Sequence, residues 1–100
     1  MTPENPPFKV ILSGQLWQLV DQLHDRAVEA GIGEQFIQAL ETIRDRLQID
    51  PFSFGEPMFR LPAMRLVVSV MAVYPLAVDF GIHQDLPIVF IRGLRLLGAD

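Results

Sequence analysis

LVVSVMAVYPLAV, residues 66–78, is the longest apolar run in the chain, and its reading decides the fold. Pro75 and Asp79 stop it well short of the ~20 residues a spanning helix needs, and its valines favour extended backbone. It therefore reads as two adjoining core strands. Residues 65–73 are apolar in both alternating registers, as a covered central strand requires. From there the pattern sharpens: Leu76, Val78, Phe80 and Ile82 alternate with Ala77, Asp79, Gly81 and His83, giving one buried and one more polar face. Tyr74 and Pro75 make the turn between the two strands, and HQDLP, residues 83–87, makes the next. A third strand is expected over residues 88–91. Beyond it, Arg92 and Gly93 open a tail that carries Leu94, Leu96 and Leu97.

Towards the amino terminus the period changes. FKVIL, residues 8–12, reads as a short first strand, and Ser13 after it is a helix N-cap. Leu16, Val20, Leu23 and Ala27 recur at the spacing of one helix face, with Trp17 and Val28 widening the stripe. Trp17 is expected to pack against the sheet. Gly31 and Gly33 close this helix. A second face follows in Phe36, Leu40, Ile43 and Leu47, broadened by Ile37, and Asp50 before Pro51 ends it. The short link makes the two helices antiparallel. FSFGEPMFRLP, residues 52–62, reads as the crossover from this hairpin to the sheet, since its prolines and glycine extend neither element. The expected fold is α+β, a single domain of two antiparallel helices packed on a mainly antiparallel sheet of about four strands, with residues 1–7 as a flexible leader.

Composition narrows the chemistry. One hundred residues suffice for one core, and the absence of cysteine excludes disulfides, thiolate zinc sites and a cysteine nucleophile. The net charge is −4, and residues 1–50 hold eight of the twelve acids but four of the eight bases. Neither half has the electropositive footprint of a phosphate binder. MTPENPP lacks the pattern of a secretory signal, so the expected location is cytoplasmic. Asp21, Asp25 and Glu29 form an acidic row with only His24 nearby, which reads as a solvated helix face rather than a metal site, and His24 is expected at the surface. The glycines are scattered and build no phosphate-cradling loop, so neither cofactor nor metal is expected. Arg60 and Arg65 bracket a proline turn, where they either converge on a phosphate or lie solvated beside Glu56. His83 shares an alternating face with Asp79.

The order of strand, helical hairpin, crossover and meander resembles the RelE/ParE toxin superfamily of bacterial toxin–antitoxin systems. IDPFSFGEPMFRL, residues 49–61, is similar to the family's Asp-Pro, Gly-x-Pro-Leu and arginine-bearing crossover, with Met58 in place of the leucine. PLAVDFGIHQDLPIVFIRGLRLL, residues 75–97, is similar to its paired last strands. The resemblance implies an antitoxin as partner, and ribosome-bound mRNA or DNA gyrase as target. If the chain is an enzyme, the resemblance implies a ribosome-dependent endoribonuclease in which Arg60, Arg65, His83, Arg92 and Arg95 supply the cations and proton carriers that attack by a ribose 2′-hydroxyl needs. Two departures stand out. Pro75 occupies the place of an arginine common just after the turn, and the basic, histidine-containing ending is reduced to Arg92, Arg95 and leucines. The alternative is a catalytically silent interaction domain on the same scaffold, self-associating as a homodimer.

Overall fold

In a computed structural model, residues 7–98 are described. The leader read over residues 1–7 lies outside this range except for Pro7. The elements run β1 (Lys9–Ile11), α1 (Gly14–Glu29), α2 (Gly33–Ile49), α3 (Pro51–Phe54), β2 (Glu56–Leu61), a 3-10 turn (Pro62–Met64), β3 (Leu66–Val73), β4 (Leu76–His83) and β5 (Ile88–Leu96). The fold is α+β with a five-stranded mixed sheet of order β1-β5-β4-β3-β2. The three later pairings are antiparallel, and β1 joins β5 in parallel.

The helices begin and end for local reasons visible in the residues. Ser13 is extended and its Oγ accepts a hydrogen bond from the Leu16 N–H at 3.2 Å, satisfying one of the free donors of the first turn. Gly31 takes φ +80, the left-handed conformation that turns the chain out of α1. Asp50 leaves the helical region before Pro51, which then starts the single turn of α3.

One face of the sheet is covered by the helical pair. Leu76, Val78, Phe80 and Ile82 of β4 are fully or nearly fully buried against Leu23, Ala27, Phe36, Ala39, Ile43 and Leu47 from α1 and α2. Burial of that apolar area, at ~25 cal/mol per Å², is the main term holding the two layers together. The tie is also polar at β1, where the Phe8 N–H donates to the Gln48 carbonyl of α2 and the Lys9 N–H to the Pro87 carbonyl, both at 2.8 Å.

Three expectations change. The sheet has five strands rather than about four, because the stretch read as a crossover contains β2, paired with β3 from Glu56↔Val70 to Leu61↔Leu66. Pro57 and a bulge at Met58 break the alternation, and an edge strand tolerates both because its outer backbone groups need no ladder partner. The expected tail after Ile91 is the second half of β5. A bulge places Arg92 between the Ile91↔Phe80 and Gly93↔Asp79 pairs, which restores the inward register for Leu94 and Leu96. Trp17, expected in the core, is 59% exposed and borders a cleft shared with Val10 and Ile91 of the sheet and Ile37 and Leu40 of α2.

Candidate functional site

The face of the sheet turned away from the helices holds most of the residues singled out in the sequence. Its register follows from the buried face: Leu66, Val68 and Val70 of β3, Ala77, Asp79, Gly81 and His83 of β4, and Phe90, Gly93 and Arg95 of β5 all point outward. Leu66 and Val68 are buried there although no helix covers them. Val70, at 36% exposure, and Phe59 on β2, at 52%, continue the apolar surface into solvent.

Arg92 owes its position to the bulge and to a glycine. A Cβ on Gly81 would lie 3.6 Å from Arg92 Cδ and 3.1 Å from Leu66 Cδ1, so the bare backbone of Gly81 forms a shelf along which the Arg92 stem lies beside Leu66. The guanidinium end reaches solvent, the usual arrangement for a long cationic side chain on apolar ground. Arg95 stands opposite Ala77, three residues further along β5 and ~10 Å away at strand rise. Between them lies Asp79, paired with Gly93. Its Oδ1 is buried and has no hydrogen-bond partner among the described residues. Asp79, Gly93 and Arg95 border a shallow hollow of about 310 Å³ whose other side is Val70 and Ala77.

The other nominated residues are elsewhere. Arg60 opposes Val67 and so projects to the same side as the helices, where it borders a depression with Phe52 and Gln84. It makes no ion pair with Glu56. Arg65 is the one non-glycine residue with positive φ among those described, at 56°, and follows the 3-10 turn. Its guanidinium forms a two-pronged pair with Asp85, through Nε to Oδ2 and through Nη2 to Oδ1 at 3.1 Å. The hydrogen bond and the charge of Asp85 raise the Arg65 pKa, and the Arg65 hydrogen bond holds the Asp85 carboxyl below the usual aspartate range.

His83 is engaged in the same turn. Its Nδ1 accepts from the N–H groups of Asp85 and Leu86 at 3.1 and 3.0 Å, and the Gln84 N–H donates to the Arg65 carbonyl at 2.8 Å. The imidazole is thus a local acceptor that shapes the β4–β5 turn, and it does not pair with Asp79. Pro75, standing where the resemblance leads one to expect an arginine, is buried in the β3–β4 turn after a cis peptide bond, and its carbonyl accepts from the Leu97 N–H at 2.7 Å.

The five nominated side chains therefore fall into three surroundings. Arg92 and Arg95 share the uncovered face with Asp79, Arg65 and His83 shape one turn, and Arg60 faces the other way. Arg65 and His83 are held by hydrogen bonds within the turn and Arg60 faces the helix side, so the display of charge on the uncovered face falls to Arg92, Arg95 and Asp79. His24 is half-buried, with its ring 5.4 Å from that of Phe36, and the acidic row of α1 is exposed. Among the described residues no group of three or more His, Cys, Asp or Glu side chains is placed to hold a metal ion, and no helix is long and apolar enough to cross a membrane. Sequence reasoning named Trp17, Val28 and Ile37 as widening the helix stripes but missed that they stay exposed, at 59%, 55% and 41%. No protein-family model, curated protein or solved structure matches the chain.

Proposed function

We propose that the chain is a RelE/ParE-like domain of a bacterial toxin–antitoxin system and works by protein association, with an antitoxin as its partner. The order of a strand, an antiparallel helical hairpin, a proline- and glycine-bearing link and a strand meander agrees with what the resemblance of residues 49–61 and 75–97 implies. The observation that carries the emphasis on association is the separation of Arg60, Arg65, His83, Arg92 and Arg95 into three surroundings. Two of the would-be catalytic groups are occupied: Arg65 is paired with Asp85, and His83 accepts two backbone hydrogen bonds. Cleavage of RNA needs a proton acceptor and a donor beside one phosphate, whereas contact with a protein target needs only a displayed surface. The uncovered sheet face with Arg92, Arg95 and the unpartnered Asp79 is the surface offered to a target: DNA gyrase if the contact is with a protein, or ribosome-bound mRNA if the chain cleaves.

A second reading is a catalytically silent interaction domain on the same scaffold. Buried Pro75 in place of an arginine favours it. Expression of the isolated chain in a bacterial host separates the two. The toxin reading expects growth arrest, relieved by the double substitution Arg92→Ala and Arg95→Ala and retained in His83→Asn. Normal growth in cells that contain folded chain leaves only the silent domain.

A further inference from the structure

The sheet face that no helix covers is uneven, and its two halves fit each other. Strand alternation turns Ala72, Ala77 and Gly93 outward in the half nearer the β3–β4 turn, where the surface is low. In the other half Phe59 and Phe90 point outward in the row of Gly81, and the Arg92 stem lies between them along the Gly81 backbone. The surface there is high. Phe59 and Val70 are exposed and Phe90 is half-buried, so the middle of the face brings apolar side chains to water. Contiguous apolar surface of this kind marks an interaction site.

The charge of this face differs from that of the whole chain, which is −4. Lys9, Arg92 and Arg95 stand on it against Glu56 and Asp79, and Arg65 and Asp85 at its border neutralise each other. A nearly balanced face does not repel a copy of itself. It also holds two groups that lack partners among the described residues. The Asp79 Oδ1 is buried without a hydrogen bond, and the Arg92 guanidinium is in no ion pair.

We infer that this face is the contact between two copies of the chain, related by a two-fold axis that runs across the strands between the rows of Asp79 and Gly81. Rotation about that axis reverses position along the strands and leaves their order unchanged. Each Asp79 then stands over Gly81 of the second copy, where the Arg92 stem lies, and each Phe90 stands over Gly93. High ground meets low ground, and the Asp79–Arg92 pair forms twice, as an isologous contact requires. Five strands ~4.8 Å apart, each about eight residues long at ~3.3 Å rise, give a face of ~600 Å². Two copies bury ~1,200 Å², the lower limit for a specific contact, so the dimer is weak and reversible. The inference deepens the interaction-domain reading by naming its partner, and it makes self-association and target contact mutually exclusive, since both use one face.

Sedimentation velocity over about 1 to 300 μM chain tests it, with an expected monomer–dimer equilibrium of dissociation constant about 10 μM. Arg92→Glu and Asp79→Lys are each expected to stay monomeric. Their equimolar mixture is expected to dimerise, because in the mixed pair the two reversed charges meet each other and the two native side chains do the same. Ala72→Glu, an exposed change in the low half, should weaken the dimer at least about tenfold, and Ile37→Asp on the helical layer should leave it unchanged. Circular dichroism checks that each variant is folded, and if Asp79→Lys is not, Arg92→Glu and Ala72→Glu decide the matter without it. A chain that is monomeric throughout, a dimer that Arg92→Glu and Ala72→Glu leave intact, or folded variants whose mixture stays monomeric would overturn the assignment. So would loss of the dimer in Ile37→Asp. Growth is not the readout, so a monomeric chain leaves the toxin test standing, and normal growth leaves this one standing.

Discussion

Gly55 shows how one residue can join two layers. A Cβ there would lie 2.7 Å from Phe80 Cζ and 2.9 Å from the Val70 carbonyl oxygen, so backbone and a buried ring close off the space. Phe54 beside it lies 6.0 Å from the Phe80 ring, and the Arg46 guanidinium sits 5.1 Å above Phe54. Gly55→Ala must push β2 away from β3 or displace Phe80, and we expect a loss of roughly 1–3 kcal/mol, the usual result of overfilling a packed core. The midpoint of urea unfolding measures it, and an unchanged midpoint would show that the link is slack. Asp79 makes the opposite case. A buried carboxylate oxygen without a partner costs about 1–3 kcal/mol, so Asp79→Val, which suits a strand, should raise stability by about 1 kcal/mol. If Asp79 serves the uncovered face, the same variant is expected to lose target binding as it gains stability, which is the usual exchange at a functional site.

Among the elements, the turns carry the electrostatics. The Arg65–Asp85 pair links the β2–β3 connection to the β4–β5 turn, and both side chains are more than half exposed, so the pair is screened and modest. Its pH dependence has a definite sign. The folded Asp85 pKa is depressed, so its contribution is fully present above the ordinary aspartate value and is lost as pH falls through the lower folded value. In a nuclear magnetic resonance titration the Arg65 Nε–H signal should hold its paired position down through the ordinary aspartate range and release only at more acidic pH. Release within the ordinary range would mean that the two side chains are independent. The helices were legible as elements because stripe, cap and closing glycine agree at α1, and stripe and Asp50–Pro51 stop agree at α2. β2 was not, because Pro57 and the Met58 bulge erase the period of two that identifies a strand. The second half of β5 was hidden for the same reason, since the bulge at Arg92 shifts Leu94 and Leu96 by one position relative to Val89 and Ile91.

For the whole molecule, the helical layer and the sheet present two different surfaces on opposite sides. One is a helix face that shows Trp17, Val28 and Ile37 among exposed charged residues, and the other is a sheet face with two arginines and an unpartnered carboxylate. The skewed charge between the two halves of the chain, read from composition, is the trace of this division. The nominated site residues were less legible. Arg92 and Arg95 do share a face, but Arg60 is turned away by the alternation of β2, Arg65 is taken up by Asp85, which only folding brings near, and His83 by backbone N–H groups of its own turn.

The residues themselves determined the layers. Apolar side chains at periods of 3.6 and two specify which face of each helix and strand leaves water, and this is local information. Which strands become neighbours, where a bulge resets the register, and whether a flanking tryptophan is covered depend on how the layers meet. That outcome belongs to the tertiary structure, because a side chain's burial is set by what packs across from it as much as by its own position in the stripe.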